Sequence, residues 1–143
     1  MQLQDYQISR LLNREIGGWL LVLCAVLLIW QPISAGLVAS SALDRLAARG
    51  FPVALILVLR ILVTGLGVGA GLALLGQRSG AVALTKFALV ASAATDLFVY
   101  LTPYFPNHRA PGETPLFVLA SLTYHGSWLA YLFWSKRVKA TFR

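Results

Sequence analysis

Four strongly polar side chains interrupt the long apolar stretches of this sequence, and they are its main candidates for chemistry. They are Gln31, Arg60, Asp96 and His125. In an apolar setting an arginine and an aspartate stabilise each other as an ion pair, and a histidine can titrate near neutral pH. The group therefore predicts one of two things: a structural clasp, or a polar pocket for a small solute, an anionic or zwitterionic head group, or protons.

The composition indicates that the stretches around these residues are membrane helices. The chain has 143 residues, of which 58% are hydrophobic and 12% charged, with a mean hydropathy of +0.73. Soluble domains carry about 25% charged residues, and about 20 apolar residues suffice to cross a bilayer as a helix. We therefore predict an all-α bundle of four transmembrane helices forming a single membrane domain over residues 1–143. The predicted spans are approximately 17–37, 51–75, 84–102 and 115–134.

The distribution of Lys and Arg predicts how this bundle is oriented. One side has Arg10, Arg14, Arg78, Lys86 and the basic tail, and the other has Arg45, Arg49 and Arg109. The positive-inside rule places both termini in the cytoplasm, an N-in/C-in topology. It also accounts for the net charge of +7, so binding to nucleic acid is not expected. Residues 1–15 are predicted to form a short interfacial helix, and Pro32 to kink or loosen the last turn of the first span.

The four polar residues fall at a similar depth when distances are counted along the predicted helices. At 1.5 Å per residue, Gln31, Arg60, Asp96 and His125 lie about 9, 14, 10 and 15 Å from the outer ends of their spans. Two tyrosines complete this intramembrane cluster at nearly the same level, Tyr100 and Tyr124. We expect an Arg60–Asp96 ion pair in the outer half of the membrane, with His125 and Gln31 satisfying its remaining donors and acceptors.

Catalytic and metal-binding interpretations of this cluster are weaker. Only one of the two histidines lies within a span, so the ligand set of a metal site is missing. Ser121 or Ser127 with His125 and Asp96 suggests a catalytic triad, but the sequence context of a nucleophile elbow is absent. We therefore expect no metal, no cofactor and no catalytic residue.

The second span contains a glycine-rich stretch that resembles a dinucleotide-binding fingerprint. Residues 65–70 read Gly-Leu-Gly-Val-Gly-Ala, but they lie in an apolar helix without the strand and sheet that the fingerprint requires. The glycines instead form two pairs four residues apart, Gly65 with Gly69 and Gly67 with Gly71. Such pairs allow close helix packing, either within the bundle or in a homodimer. Packing within the bundle is favoured.

The two ends of the chain carry a family resemblance. Ile16-Gly17-Gly18-Trp19-Leu20 opens the first span, and Ser135-Lys136-Arg137-Val138-Lys139-Ala140-Thr141-Phe142 closes the chain. With four spans between them, these motifs resemble the bacterial inner-membrane family catalogued as domain of unknown function 2569. The resemblance implies a four-helix bacterial inner-membrane protein and no particular activity.

Both end motifs lie at the predicted cytoplasmic face. They supply a candidate surface there: Gly17, Gly18, Trp19, Trp134, Lys136, Arg137 and Lys139. An interface anchor with a stop-transfer charge cluster explains these residues, and so does a composite surface that docks a partner protein or anionic lipid.

Two functions follow as expectations. The first is a non-enzymatic accessory membrane protein that contacts lipid or a partner through its cytoplasmic face, with a homodimer or a larger membrane complex as its assembly. The alternative is a small transporter or solute-binding protein that uses the polar layer of Gln31, Arg60, Asp96 and His125.

Overall fold

The structure, a computed structural model, describes residue 16 and residues 18–102 and 112–142. The described residues are about 89% helical and include no strand. Four of their helices are long and apolar enough to cross a membrane. The predicted all-α fold with four such helices is therefore confirmed. The predicted interfacial helix at 1–15, Gly17 and Arg109 lie outside the described residues.

Helix α1 begins at Trp19 and ends at Arg49, and its middle contains a wider turn. It is α-helical over Trp19–Ala25, π-helical over Val26–Trp30 and α-helical again over Gln31–Arg49. Pro32 has no N–H to donate to the carbonyl of Leu28, and the π-helical turn lies immediately before it. A loosened turn is thus present near Pro32, but it lies in the middle of the helix, whereas the prediction placed it in the last turn of the span. The helix nevertheless continues past residue 37, the predicted end of the span, because proline is tolerated near the start of the α-helical segment that follows.

The remaining helices begin and end within three residues of the predicted spans. They are α2 (Phe51–Leu75), α3 (Ala81–Leu101) and α4 (Thr114–Trp134), and a short helix α5 (Lys136–Thr141) follows the last of them. Gly50 alone joins α1 to α2, with φ +69°, a left-handed conformation that favours glycine. Gly50 and the segment 76–80 are short connections, so they make α1, α2 and α3 successive antiparallel neighbours. In the bundle α1 packs on α2, α2 on α3, and α3 on α4.

Two separate apolar cores lie along the bundle. We call the half that contains the start of α1 and the end of α4 the terminal half, and the opposite half the far half. The terminal core draws on every helix, including α5: Leu20, Leu23, Cys24, Leu27, Leu74, Ala81, Leu89, Leu132 and Val138. The far core is smaller, and its described members come from α1, α2 and α3 alone: Ala42, Val53, Ile56, Leu57 and Val99. The outer part of α4 is therefore not held against α1 by an apolar core.

Candidate functional site

An ion pair joins α2 to α3 in the middle of the bundle. Nη2 of Arg60 lies 2.7 Å from Oδ1 of Asp96, and the two side chains are 16% and 21% exposed. A lone charge at the centre of a membrane helix costs about 2.5–3.5 kcal/mol, and a partner of opposite charge offsets much of this cost. The predicted ion pair is therefore present, and it links these two helices directly.

Ser121 extends the pair to α4. Its hydroxyl donates to Oδ2 of Asp96 over 3.2 Å, so the two carboxylate oxygens bind groups on two different helices. The prediction that His125 and Gln31 satisfy the rest of the pair is wrong. The imidazole of His125 is directed to the backbone of its own helix, and the serine one turn earlier bonds the carboxylate in its place.

The hydrogen bonds of His125 determine which ring nitrogen carries the proton. Nδ1 lies 2.9 Å from the carbonyl oxygen of Ser121, which can only accept, so Nδ1 carries the hydrogen. In the neutral ring the lone pair is then on Nε2. The ring is 4% exposed and packs edge-on against Tyr124, with centroids 4.9 Å apart.

This geometry argues against a Ser–His–Asp triad. Nδ1 of His125 lies 3.3 Å from the hydroxyl of Ser121, but a nitrogen that donates to a carbonyl cannot also take the serine proton. Asp96 accepts from the serine, whereas a triad aspartate accepts from the histidine. The other candidate, Ser127, donates to the carbonyl of Thr123 in its own helix over 2.6 Å. Neither serine is activated as a nucleophile.

Two buried polar atoms beside the ion pair have no hydrogen-bond partner among the described residues. They are Oε1 of Gln31 and Nε of Arg60. A buried polar group without a partner costs about 1–3 kcal/mol. The amide of Gln31 packs directly against Gly67, where a β-carbon would collide with it. Gln31 therefore lies at the contact between α1 and α2 and makes no hydrogen bond to the ion pair.

All six residues of the predicted cluster line one central cavity of about 590 Å³. Its wall is formed by all four long helices. The hydroxyl, amide and charged groups in this wall come from Gln31, Ser34, Ser41, Arg60, Thr64, Ser92, Asp96, Tyr100, Ser121, Tyr124 and His125. The volume is within the range of about 300–1,000 Å³ that is usual for small-molecule sites. The cluster is therefore part of a polar, ligand-sized space.

The cavity opens between α1 and α4. Trp30 and Ser41 on α1, and Phe117 and Ala120 on α4, are exposed and also line it. These two helices share the terminal core, but in the described far half they lie on either side of the cavity. Phe117 also contacts Tyr100 of α3, with ring centroids 6.1 Å apart. Aromatic side chains therefore flank the opening.

The prediction missed most of the small hydroxyl side chains in the wall. Thr64, Ser92 and Ser121 each lie four residues from one of the charged or titratable residues, Arg60, Asp96 and His125 respectively. Residues four apart share a helix face, so each must face the same space as its neighbour. This spacing is the signal that would have identified them.

The two glycine pairs of α2 face different surroundings. Gly67 and Gly71 are buried, and a β-carbon on them would meet Gln31 and Leu28 of α1 respectively. Gly65 and Gly69 are exposed, and a β-carbon there would meet nothing within 4 Å. Packing within the bundle therefore accounts for Gly67 and Gly71. Gly65 and Gly69 lie on the outer surface of the bundle.

The two end motifs meet at the terminal end. Gly18 has φ +65°, and a guanidinium nitrogen of Arg137 lies 2.9 Å from where its β-carbon would be. Val138 is buried in the terminal core, so α5 folds back against the start of α1. Trp19 and Trp134 are 68% and 79% exposed, and Lys136 and Lys139 are exposed as well. The tail is thus a packed part of the fold with a basic, aromatic outer surface.

Comparisons with known proteins leave the family unassigned. No protein-family model, no curated protein and no solved structure matches this chain. The resemblance to the bacterial inner-membrane family stays a prediction. Within residues 16, 18–102 and 112–142, no three His, Cys, Asp or Glu side chains come together to hold a metal ion.

Proposed function

We propose that this chain is a multi-pass membrane protein that binds a small neutral or zwitterionic polar solute in its central cavity, as a transporter or a solute-binding protein. The observation that carries the proposal is an ion pair set in the wall of a cavity to which all four helices contribute polar groups. A structural clasp needs no such space beside it.

The charge in the cavity wall favours this class of ligand. Arg60 and Asp96 neutralise each other, so the pair adds no net charge to the cavity wall. A zwitterion can interact with both members of the pair, and a neutral polar solute can bond the hydroxyl groups around them. Gln31 and Arg60 each hold a buried atom without a described partner, and a solute that draws the Gln31 amide toward the cavity recovers part of that cost.

The distribution of Lys and Arg supports a placement for the protein. It favours an orientation with both termini in the cytoplasm. The resemblance of the two end motifs to a bacterial family implies that the membrane is a bacterial inner membrane. In that orientation the cavity lies in the outer half of the membrane.

The experiment is a binding and flux measurement on the purified protein in lipid nanodiscs and liposomes. The probes are amino acids, polyols and betaines, and the readouts are the melting temperature and the flux of solute or protons. A solute at a hundred times its Kd stabilises the folded state by about 2.7 kcal/mol. We expect at least one probe to raise the melting temperature of the wild-type protein and not that of Asp96→Asn.

Two serines of α4 provide a matched pair for this measurement. Ser121 lines the cavity, whereas Ser127 is exposed and bonds only within its own helix. Ser121→Ala is expected to weaken solute binding, and Ser127→Ala to leave it unchanged. The proposal is contradicted if no probe gives either binding or flux that depends on Asp96.

A second candidate is the accessory role, in which the terminal end binds lipid or a partner protein. The contact between Gly18 and Arg137 favours it, because this contact fixes the basic tail in one place on the bundle. A pull-down from native membranes, compared with one in which Lys136, Arg137 and Lys139 are replaced by glutamate, tests it. A homodimer through the exposed pair Gly65 and Gly69 also stays a prediction.

A further inference from the structure

A second cleft lies at the terminal end, away from the central cavity. Its volume is about 520 Å³, and its wall combines the start of α3, the end of α4 and helix α5. The lining residues are Gly80, Val82, Lys86, Leu132, Phe133, Val138, Lys139 and Phe142. Two lysines from different helices thus share a cleft whose other side chains are apolar.

Among the described residues, an aromatic ring and not a carboxylate positions the positive charge in this cleft. Nζ of Lys86 lies 3.7 Å from the ring centroid of Phe133, a cation–π contact that positions the ammonium group. The described residues of the terminal half include no aspartate or glutamate, whereas Arg78, Lys136 and Arg137 lie in the same region. The cleft therefore favours an anionic group.

The aromatic residues around the cleft indicate the level of the membrane interface. Trp134, directly after Phe133, is 79% exposed, and Trp19 at the same end is 68% exposed. Exposed tryptophans at the ends of apolar helices mark the head-group region of a bilayer. Phe133 is itself 53% exposed, so the apolar wall of the cleft continues onto the outer surface of the bundle.

We propose that this cleft binds one anionic glycerophospholipid, with its phosphate between Lys86 and Lys139 and its acyl chain along Val82 and Phe133. Basic pockets between membrane helices on the cytoplasmic side are suited to anionic head groups, and the apolar wall adds a contact that inorganic phosphate lacks. The inference gives the second candidate function a defined ligand and is independent of the solute cavity.

The test is a lipid titration of the full-length protein in detergent, followed by native mass spectrometry. The two lipids have the same acyl chains and carry either an anionic phosphoglycerol or a zwitterionic phosphocholine head group. A lysine near a membrane surface contributes about fivefold to the binding of anionic lipid. We expect Lys86→Gln and Lys139→Gln each to weaken binding of the anionic lipid about fivefold.

Two further variants make the result specific to the cleft. Arg78→Gln removes one positive charge from an exposed position between α2 and α3 that does not line the cleft, and it is expected to leave binding unchanged. Lys86→Arg keeps the charge and is expected to restore most of the affinity. Melting temperatures in the zwitterionic lipid show whether each variant folds. If Lys86→Gln does not fold, Lys139→Gln, whose side chain lies on the surface of α5, carries the test.

Three results would overturn the assignment. They are equal loss of binding in Arg78→Gln, equal affinity for the phosphocholine lipid, and displacement of the bound lipid by inorganic phosphate. Solute binding that depends on Asp96 is measured separately and is expected to be unchanged in Lys86→Gln. The two measurements therefore distinguish a failure of the lipid-binding proposal from a failure of the solute-binding proposal.

Discussion

The terminal half and the far half of the bundle are built from the same four long helices but differ in what occupies the space between them. In the terminal half, leucines such as Leu23, Leu27 and Leu132 meet at the centre and are almost fully buried. In the far half, Ser34 and Ser92 are among the small polar residues that face the central space, and a cavity remains. Apolar side chains therefore fill the centre of the terminal half, whereas the far half keeps a polar space.

Buried hydroxyl groups show the same contrast. Thr85 in the terminal half is fully buried, and its hydroxyl donates to the carbonyl of Ala81 in its own helix. Ser121 in the far half donates across to Asp96 on another helix. Lipid is as apolar as a protein core, so apolar burial does not distinguish the inside of a membrane bundle from its outside. Small polar residues that bond between helices are the better sign of a site.

The largest expected effect comes from breaking the ion pair that lies in the cavity wall. Arg60→Ala or Asp96→Ala alone leaves an unpaired charge within the bundle, and we expect each to destabilise it by about 2.5–3.5 kcal/mol. The double variant should destabilise it less than either single one. Unfolding in mixed micelles measures the cycle, and single losses that simply add would show that the two residues are not coupled.

One pair of alanines tests directly whether the two halves differ in packing. Ala88 is 1% exposed in the terminal half, whereas Ala35 lines the cavity. Ala88→Leu should overpack its surroundings and cost about 1–3 kcal/mol, while Ala35→Leu should enter open space at little cost. Equal losses in the unfolding free energy would contradict the difference between an open and a closed half.

Glycines on opposite faces of α2 sharpen the comparison further. Gly67→Ala places a β-carbon against the Gln31 amide, whereas Gly69→Ala meets nothing within 4 Å. Alanine favours a helix over glycine by about 1 kcal/mol, so Gly69→Ala should be neutral or slightly stabilising. Gly67→Ala should be net destabilising by about 1–2 kcal/mol because the helices or the amide must move. Melting temperatures check both, and stabilisation by Gly67→Ala would show that the amide moves without cost.

Much of the fold follows from the sequence because its main signal is the length of the apolar runs. The bounds of α2 coincide with its predicted span, and counting residues along helices was enough to pair Arg60 with Asp96. A charge in an apolar helix has few alternatives to a partner at its own depth.

Other features depend on directions around a helix that the sequence does not reveal. Gly65 and Gly67 lie in equally apolar surroundings, so only the structure shows which of them faces α1. The His125 ring turns to a carbonyl one turn earlier, a local bond that competes with the predicted contact to Asp96. The sequence predicts for the tail either an interface anchor or a docking surface. It does not reveal that Val138 is buried in the terminal core, because this packing depends on a turn at Ser135.

The central claim is that the far half holds a polar cavity that water and solutes reach, and substituted-cysteine labelling tests it most directly. In a Cys24→Ala background, Ser34→Cys lines the cavity, and Leu37→Cys lies less than one turn away on the outer surface, where leucine is 69% exposed. A charged, membrane-impermeant thiol reagent reacts with thiolate, which forms in water and not in lipid. We predict rapid labelling of Ser34→Cys and very slow labelling of Leu37→Cys in intact membranes. Labelling of Leu37→Cys alone, or of neither cysteine, would contradict the account.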